Sequence, residues 1–148
     1  MNLSPLVLRP ATPSDFPFIW HLRRETMKGV VAASYGWVDD TQKTYAEESL
    51  QGQIVTFENQ SIGVLTLSDW GDQIHIAWVA IDTAYQGKGY GTLLLRHAQQ
   101  VAATAGKPMT LQVLKNNPAS KLYLRCGFQV TDDSEPYRLY MRWLPEVH

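Results

Sequence analysis

Hydrophobic and polar residues alternate along the chain with two different periods, which together predict a mixed order of strands and helices. Alternation with a period of two, bounded by turn residues, predicts strands. It occurs in seven segments: 5–10, 53–58, 61–68, 73–81, 109–115, 128–132 and 137–143. Apolar residues spaced three and four apart predict helices. These cover 12–29, 39–52, 91–106 and 117–127.

The order of these elements predicts how the strands pair. Segments 53–58, 61–68 and 73–81 are joined by short turns and predict an antiparallel meander. A helix then separates strand 73–81 from strand 109–115, and such a crossover requires the two strands to run parallel. The last two segments predict an antiparallel pair. The expected fold is therefore α/β (α+β), with a mixed sheet of about seven strands.

Capping residues set the predicted helix boundaries. Thr12 stands before a proline and begins the first helix, and Gly29 can end it. The second helix is capped at Asp39 or Asp40, and Asn117 caps the fourth.

Arg23 interrupts the apolar stripe that the first helix turns toward the core. Phe16, Ile19, Trp20 and Met27 lie on the same stripe. A guanidinium is costly to bury without a partner. The side chain of Arg23 is therefore expected to reach an exit or a polar partner.

Glycines alternate in the stretch AYQGKGYGTLLL, at the junction between strand 73–81 and the following helix. They are Gly87, Gly89 and Gly91, and Lys88 stands between the first two. The first turn of a helix offers unpaired N–H groups and a partial positive charge. Glycine keeps side chains out of the way of an anion that docks there. The stretch therefore predicts a phosphate or pyrophosphate site, although a glycine-rich turn without a ligand remains the alternative.

Composition and charge narrow the class of protein. The chain has 148 residues and a formal net charge of −1, which suits a single domain spanning 1–148 and makes nucleic acid a poor partner. Cys126 is the single cysteine, so no internal disulfide is expected and a reducing compartment fits. The first residues lack the basic and apolar regions of a signal peptide, and no segment is long enough to cross a membrane. A cytoplasmic location is expected.

Two stretches resemble motifs of one enzyme family. The spacing Gln86-x-x-Gly89-x-Gly91 is similar to the Q/R-x-x-G-x-G/A motif of the GNAT superfamily of acyl-CoA-dependent N-acetyltransferases. The stretch NNPASKLYLRCGF resembles a second family motif, with Asn116 and Tyr123 in matching positions. The resemblance implies the GNAT fold, a splayed mixed sheet with helices on both faces.

The resemblance also implies a cofactor and the residues that would hold it. Acetyl-CoA would serve as co-substrate, and no metal is expected. Its pyrophosphate would bind the glycine-rich loop, and its pantetheine would pair with the strand before that loop. The residues implied are Val79, Ala80, Ile81, Gln86, Gly87, Lys88, Gly89, Tyr90, Gly91, Thr92, Asn116 and Tyr123.

Catalytic roles are expected for a donor to the leaving group and for a base. Tyr123 matches the family tyrosine that faces the leaving thiolate, although packing on an amphipathic helix would also explain it. His75 stands eleven residues before Gln86, where some family members have a glutamate base. A histidine near pKa 6.5 could act directly or through water. Glu25 is the rival base, and an ordered water is the third possibility.

The acceptor and its pocket are the least determined part of the prediction. The expected activity is direct transfer of the acetyl group to a primary amine, carried by a small molecule or a peptide. The alternative is a non-catalytic module that binds or senses acyl-CoA. Aromatic residues and carboxylates around the first helix suit a cationic amine. They are Trp20, Glu25, Tyr35, Trp37, Asp39, Asp40, Trp70 and Trp78. The apolar strand 137–143 could form the edge of a homodimer.

Overall fold

The computed structural model describes residues 3–146, and its strands form one sheet. They are β1 (Leu6–Pro10), β2 (Gln53–Phe57), β3 (Gln60–Asp69), β4 (Ile74–Ile81), β5 (Met109–Leu114), β6 (Gln129–Asp132) and β7 (Arg138–Trp143). The four α-helices are α1 (Phe16–Ser34), α2 (Asp39–Glu48), α3 (Tyr90–Thr104) and α4 (Ala119–Arg125). The seven strands lie in the order β1-β2-β3-β4-β5-β7-β6.

The strand pairing agrees with the pattern that the sequence predicts. The pairs β1–β2, β2–β3 and β3–β4 are antiparallel, and β4 and β5 are parallel. β7 pairs antiparallel with both β5 and β6. The mixed seven-stranded sheet is thereby confirmed. β7 lies inside the sheet, so segment 137–143 does not offer the free edge proposed for a homodimer.

Helices cover both faces of the sheet and bury two apolar clusters. On one face, α3 contributes Leu94, Leu95 and Ala98 to a large cluster that also includes Met109 and Phe128, and α4 packs on the same cluster. On the other face, a smaller cluster joins α1 and α2 to the sheet. The expectation of helices on both faces is confirmed. Burial of these apolar side chains supplies the main stabilising free energy of the fold.

Helix α1 extends beyond the predicted end at Gly29. Val31, in the last turns of the helix, is fully buried, and the gain from that burial exceeds the roughly 1 kcal/mol that a helical glycine costs. The glycine that follows the helix is instead Gly36, with φ +92°. Its N–H donates to Val31 O at 3.1 Å. The helix stops there because a left-handed residue redirects the chain.

The start of α1 is tied to β1 by an ion pair. The predicted cap at Thr12 is followed by a 3₁₀ turn, Pro13–Asp15, before the α-helix begins. Asp15 accepts two hydrogen bonds from the Arg9 guanidinium, at 2.7 and 2.8 Å, and one from the Thr12 amide at 2.7 Å. The hydrogen bonds from Arg9 are the main reason that the pKa of Asp15 falls to about 2.

The other predicted caps shift by one position. The residue before α2 is Val38, and Asp39 and Asp40 occupy its first turn, where carboxylates favour the helix dipole. Helix α4 begins at Ala119, after Pro118. Asn117 still acts as a cap, since its Oδ1 accepts the Ala119 amide at 3.0 Å. No helix within residues 3–146 is long and apolar enough to span a membrane.

Candidate active site

The parallel strands β4 and β5 pair over a short length only and then part. Their register covers Ile74–Ile76 of β4, while β3 continues to pair with β4 as far as Ile81. Beyond Ile76, one edge of β4 therefore faces an opening in the middle of the sheet. Such an opening leaves backbone N–H and C=O groups available to a ligand.

Alternation along β4 decides which backbone groups face this opening. Asp82 N–H donates to Ile62 O of β3 at 2.7 Å, and the Ala80 carbonyl lies against Gly63 of β3. Because successive residues of a strand direct their backbone groups to opposite sides, Val79 and Ile81 face the opening. Of the three residues expected to pair with a ligand, Ala80 therefore has its backbone turned toward β3.

Two adjoining cavities are lined by β4 and by the elements packed around it. The glycine-loop cavity has a volume of about 650 Å³ and is lined by Gly87, Gly89 and the start of α3. The His75 cavity, about 520 Å³, is lined by His75, Trp70 and residues of α1 and β5. Six residues line both cavities: Met27, Trp78, Val79, Asn117, Ala119 and Tyr123. Two ligands could therefore meet at Val79 and Tyr123.

The glycine loop has the geometry of an anion cradle. Gly87 and Gly89 have φ of +78° and +84°, and a Cβ built on either would meet no atom within 4 Å. Gly89 is the N-cap of α3, and its carbonyl accepts the Leu93 N–H at 3.2 Å. The amides of residues 90–92 precede that first helical bond and lack a carbonyl partner within the helix. The loop can thus direct several N–H groups at an anion.

Other residues of the loop support its shape. The Gln86 side-chain amide donates to Ile81 O at 2.8 Å, which ties the loop to the end of β4 and occupies a carbonyl that faces the opening. A Cβ on Gly91 would lie 3.2 Å from Leu122 Cδ2, so Gly91 permits close packing of α3 on α4. Lys88 is exposed, and Tyr90 and Thr92 line the glycine-loop cavity.

Tyr123 lies where the two cavities meet. Its side chain is 8% exposed, and burial raises its pKa to about 12. The ring packs edge-on against Phe128, with centroids 6.0 Å apart. Among residues 3–146, no hydrogen-bond partner is found for the hydroxyl. The phenol is therefore a protonated donor that remains available at neutral pH.

His75 belongs to the wall of its cavity and not to the meeting point. Its Nδ1 lies 2.9 Å from Thr110 Oγ1, and its ring stacks on Trp70 at a centroid distance of 4.0 Å. Burial lowers its pKa, so the ring is mostly neutral at pH 7. When Nδ1 donates to Thr110, Nε2 carries the lone pair that a base needs. Four positions along a strand separate His75 from Val79, roughly 13 Å, so any proton would have to travel through water.

Glu25 lies on the other side of the site. It lines the glycine-loop cavity and accepts a hydrogen bond from the Thr83 hydroxyl, and its Oε2 lies 3.1 Å from His21 Nε2. The structure therefore does not bring Glu25 and His75 together.

The two neighbouring asparagines differ in position. Asn116 is exposed, and its Nδ2 donates to Val30 O of α1 at 3.1 Å. The lining of both cavities includes Asn117 but not Asn116. The motif position indicates Asn116, whereas the sequence pattern around Asn117 indicates only a helix cap.

The predicted aromatic pocket forms in part. Tyr35, Trp70 and Trp78 line the His75 cavity. Trp20 and Trp37 instead pack against each other, with ring centroids 5.9 Å apart, outside the lining of both cavities. Asp39 bonds the Trp37 indole at 2.6 Å, and like Asp40 it is absent from both linings. Of the three carboxylates expected in the acceptor pocket, Asp39 and Asp40 therefore lie outside both cavities, and Glu25 lines the glycine-loop cavity.

Two arginines that were not assigned to a site contribute to the cavities. Arg23 is buried and lines the His75 cavity, and its position within an apolar stripe was the sequence signal for it. Arg125, in the last turn of α4, lines the glycine-loop cavity. Within residues 3–146, no group of three or more His, Cys, Asp or Glu side chains is placed to hold a metal ion.

Comparison with solved structures shows the fold. A PaiA N-acetyltransferase from Thermoplasma acidophilum in complex with coenzyme A matches with a TM-score of 0.75 and 16% identity, over 94% of this chain and 98% of that one. The ribosomal-protein-S18-alanine N-acetyltransferase of Escherichia coli matches with a TM-score of 0.71 and 19% identity, over 97% and 96%. Arabidopsis thaliana Naa50, in complex with the bisubstrate analogue CoA-Ac-MVNAL, matches with a TM-score of 0.70 and 15% identity, over 93% and 97%.

Comparison of sequences shows the family. No curated protein matches the chain significantly. A family model described as acetyltransferase (GNAT) domain matches residues 40–130, which include the glycine loop, the splayed strands and Tyr123. The match covers more than half of the chain, and the solved structures share its fold. The chain therefore belongs to the GNAT family of acetyltransferases.

Proposed function

We propose that this protein transfers an acetyl group from acetyl-CoA to a primary amine by direct attack within a ternary complex. The observation that carries the proposal is the pair of cavities that meet at Val79 and Tyr123. A donor in one cavity and an acceptor in the other would be in contact there. A module that only senses acyl-CoA needs the glycine-loop cavity alone, so the second cavity favours the enzyme.

The residues present fit coenzyme A. The cradle formed by Gly87, Gly89 and the amides of residues 90–92 suits its pyrophosphate, and Lys88 adds a positive charge nearby. The free edge of β4 offers the Val79 backbone groups and the Ile81 N–H to the amides of its pantetheine arm, the Ile81 carbonyl being taken by Gln86. When bound, acetyl-CoA would supply the acetyl group as a thioester.

The chain's own residues would then assist the attack. The Val79 N–H donates to the carbonyl oxygen as negative charge builds there, an effect worth a few kcal/mol. The amine nitrogen forms the new C–N bond while the C–S bond breaks, and the electron pair of that bond stays on sulfur. The Tyr123 hydroxyl donates a hydrogen bond to the sulfur. The proton lost by the amine passes to water and, through it, to His75.

Direct transfer is also favoured by the position of the one cysteine. Cys126 is 3% exposed, and it lines neither cavity. A covalent acyl-enzyme would need a nucleophile at the meeting point of the cavities, and Cys126 is not placed to serve as one.

The proposal is tested by coenzyme A binding and by thiol release. We expect acetyl-CoA to bind with micromolar affinity and thiol to be released with primary amines, while alcohols of the same skeleton release little. The site contains no strong base to ionise a hydroxyl. The measurements are calorimetry and a free-thiol assay over matched amines and alcohols. Tight binding of acetyl-CoA with no thiol release from any amine would instead support the sensing module.

The pH profile distinguishes the two candidate bases. Since burial lowers the pKa of His75, kcat/KM should rise with pH through an inflection below about 6.5, as His75 loses its proton. His75→Gln keeps a hydrogen-bonding side chain beside Thr110 and should abolish that inflection. Above it, the rate should rise only as the amine itself deprotonates.

Glu25→Gln is the matched control for this profile, because Glu25 lies in the other cavity. We expect the low-pH part of the Glu25→Gln rate profile to equal that of the wild type. If Glu25→Gln removes the inflection and His75→Gln does not, Glu25 is the base. Identical profiles in all three proteins would exclude both residues and leave an ordered water.

A further inference from the structure

Arg23 is a buried cation beside the His75 cavity. It lies on α1 and is 8% exposed. Its Nε donates to Gln42 Oε1 at 2.8 Å, and its guanidinium lies between the rings of Tyr45 and Trp78, at 5.2 and 5.1 Å from their centroids. Arginine stays protonated even where burial lowers its pKa. The cavity wall therefore carries a permanent positive charge.

Arg23 forms no hydrogen bond to a carboxylate within residues 3–146, and its terminal nitrogens form none there. Glu48 also lines the cavity and interacts electrostatically with the guanidinium, but no close ion pair joins the two. Arg138 adds a second cation to the lining, with its guanidinium 4.9 Å from the Tyr35 ring centroid. Arg138 is 3.8 Å from the Glu135 carboxylate, so Arg23 is the cation of this cavity whose terminal nitrogens are left to pair with an anion.

Neighbouring buried polar atoms also lack partners. Thr66 Oγ1 and Trp78 Nε1 both belong to residues that line this cavity, and neither atom finds a hydrogen-bond partner within residues 3–146. Thr66 is 4% exposed and Trp78 is 8% exposed. Buried polar groups in proteins are normally paired. Both atoms have almost no accessible surface, so the donor that the cavity offers to a bound molecule with acceptor oxygens is the Arg23 guanidinium.

We propose that the acceptor is a small amine that also carries a carboxylate, and that Arg23 binds this carboxylate. The proposal rests on the proposed acetyl transfer and names its substrate class. In a peptide, the carboxylate next to the α-amine has become a neutral amide, which leaves the buried cation uncompensated. A cavity of about 520 Å³ suits an amino acid or a molecule of similar size, and its aromatic wall suits an apolar or aromatic side chain.

Matched acceptors test the proposal in the wild-type protein. Phenylalanine, tryptophan and methionine are each compared with the amine that lacks the carboxylate: phenethylamine, tryptamine and 3-methylthiopropylamine. A charge-assisted hydrogen bond of about 1.5–3 kcal/mol corresponds to roughly 10- to 100-fold in kcat/KM in favour of the amino acid. Equal or better rates with the decarboxylated amines would overturn the proposal and leave acetyl transfer standing. So would better rates with tripeptide amides that begin with the same three residues.

Variants of the two adjacent residues Arg23 and Arg24 test whether Arg23 causes the preference for acceptors that carry a carboxylate. Arg23→Gln should raise KM for the amino acids by about 10- to 100-fold and leave the decarboxylated amines nearly unchanged, while Arg23→Lys restores part of the difference. Arg24→Gln is the control, because Arg24 is exposed and stacks on Trp20 outside both cavities. An equal loss for both members of each pair in a folded Arg23→Gln protein would show a structural role and contradict the proposal.

A binding measurement separates this proposal from the transfer reaction. N-acetylphenylalanine and N-acetylphenethylamine are titrated calorimetrically into the protein with coenzyme A present. Binding of the first that exceeds binding of the second, and that Arg23→Gln removes, supports a carboxylate site even if no amine is turned over. Equal binding or no binding of the two compounds overturns it.

Discussion

Gly89→Val should abolish coenzyme A binding, with a loss of affinity of more than about 100-fold, while the chain remains folded. Gly89 has φ +84°, a conformation that costs a branched residue about 1–2 kcal/mol. Its Cβ would enter space in which no atom lies within 4 Å, at the N-terminus of α3 where an anion would dock. Valine would therefore both distort the cradle and fill it. Calorimetry with coenzyme A measures the loss.

Gly106→Val is the matched control. Gly106 also has a positive φ, +68°, and open space around its Cβ, but it follows the C-terminal end of α3. The Gly106→Val substitution should lower the free energy of unfolding by a similar amount and leave coenzyme A binding unchanged. Circular dichroism and thermal unfolding check that both variants fold. If folded Gly89→Val binds coenzyme A like the wild type, the glycine loop is not the anion site.

Tyr123→Phe should lower kcat by about 10- to 100-fold, the lower end of general-acid effects, with little change in affinity for coenzyme A. Its pKa of about 12 lies above that of a thiol, near 8.5. Full proton transfer to the leaving thiolate is therefore uphill, and the hydroxyl contributes a hydrogen bond. Since it remains protonated up to about pH 12, the loss in rate should not vary between pH 6 and about pH 9.

Tyr85→Phe is the control for this measurement. Tyr85 also lines the glycine-loop cavity, but its hydroxyl donates to Gln60 Oε1 at 3.0 Å and is thus directed away from the sulfur. We expect less than a twofold change in kcat with this variant. A single-turnover assay isolates the chemical step. An unchanged rate in Tyr123→Phe would assign that side chain to packing against Phe128.

Position within the fold also explains why Asp39 and Asp40 lie outside both cavities. With Glu25, they are close in sequence to aromatic residues, and this grouping predicts a pocket for a cationic amine. In the structure, Asp39 accepts a hydrogen bond from the indole of Trp37, and the His75 cavity is lined by the charged residues Arg23, Arg138 and Glu48. Residues that are close in sequence to a helix need not line the same cavity as that helix. The side chains that line a cavity are set by which faces of elements far apart in sequence pack around it.

The sequence by itself determined the elements, their pairing and the family. Hydrophobic periods of two and 3.6 depend on local geometry, so all seven strands and four helices were predictable, and the parallel β4–β5 pair followed from the crossover between them. The glycine loop was also predictable. Glycine at a strand-to-helix junction has a local cause, and the apolar period of the residues after it marks them as a helix even though packing on the sheet stabilises that helix.

Only the tertiary structure decided which residues share a site. It extended α1 past Gly29 because Val31 could be buried, and it parted β4 from β5 after Ile76. It placed His75 and Glu25 in separate cavities. It also brought Arg23 of α1 against Gln42 of α2 and Trp78 of β4. These outcomes depend on contacts between residues far apart in sequence, and the free energy of such contacts is settled only when the whole core packs.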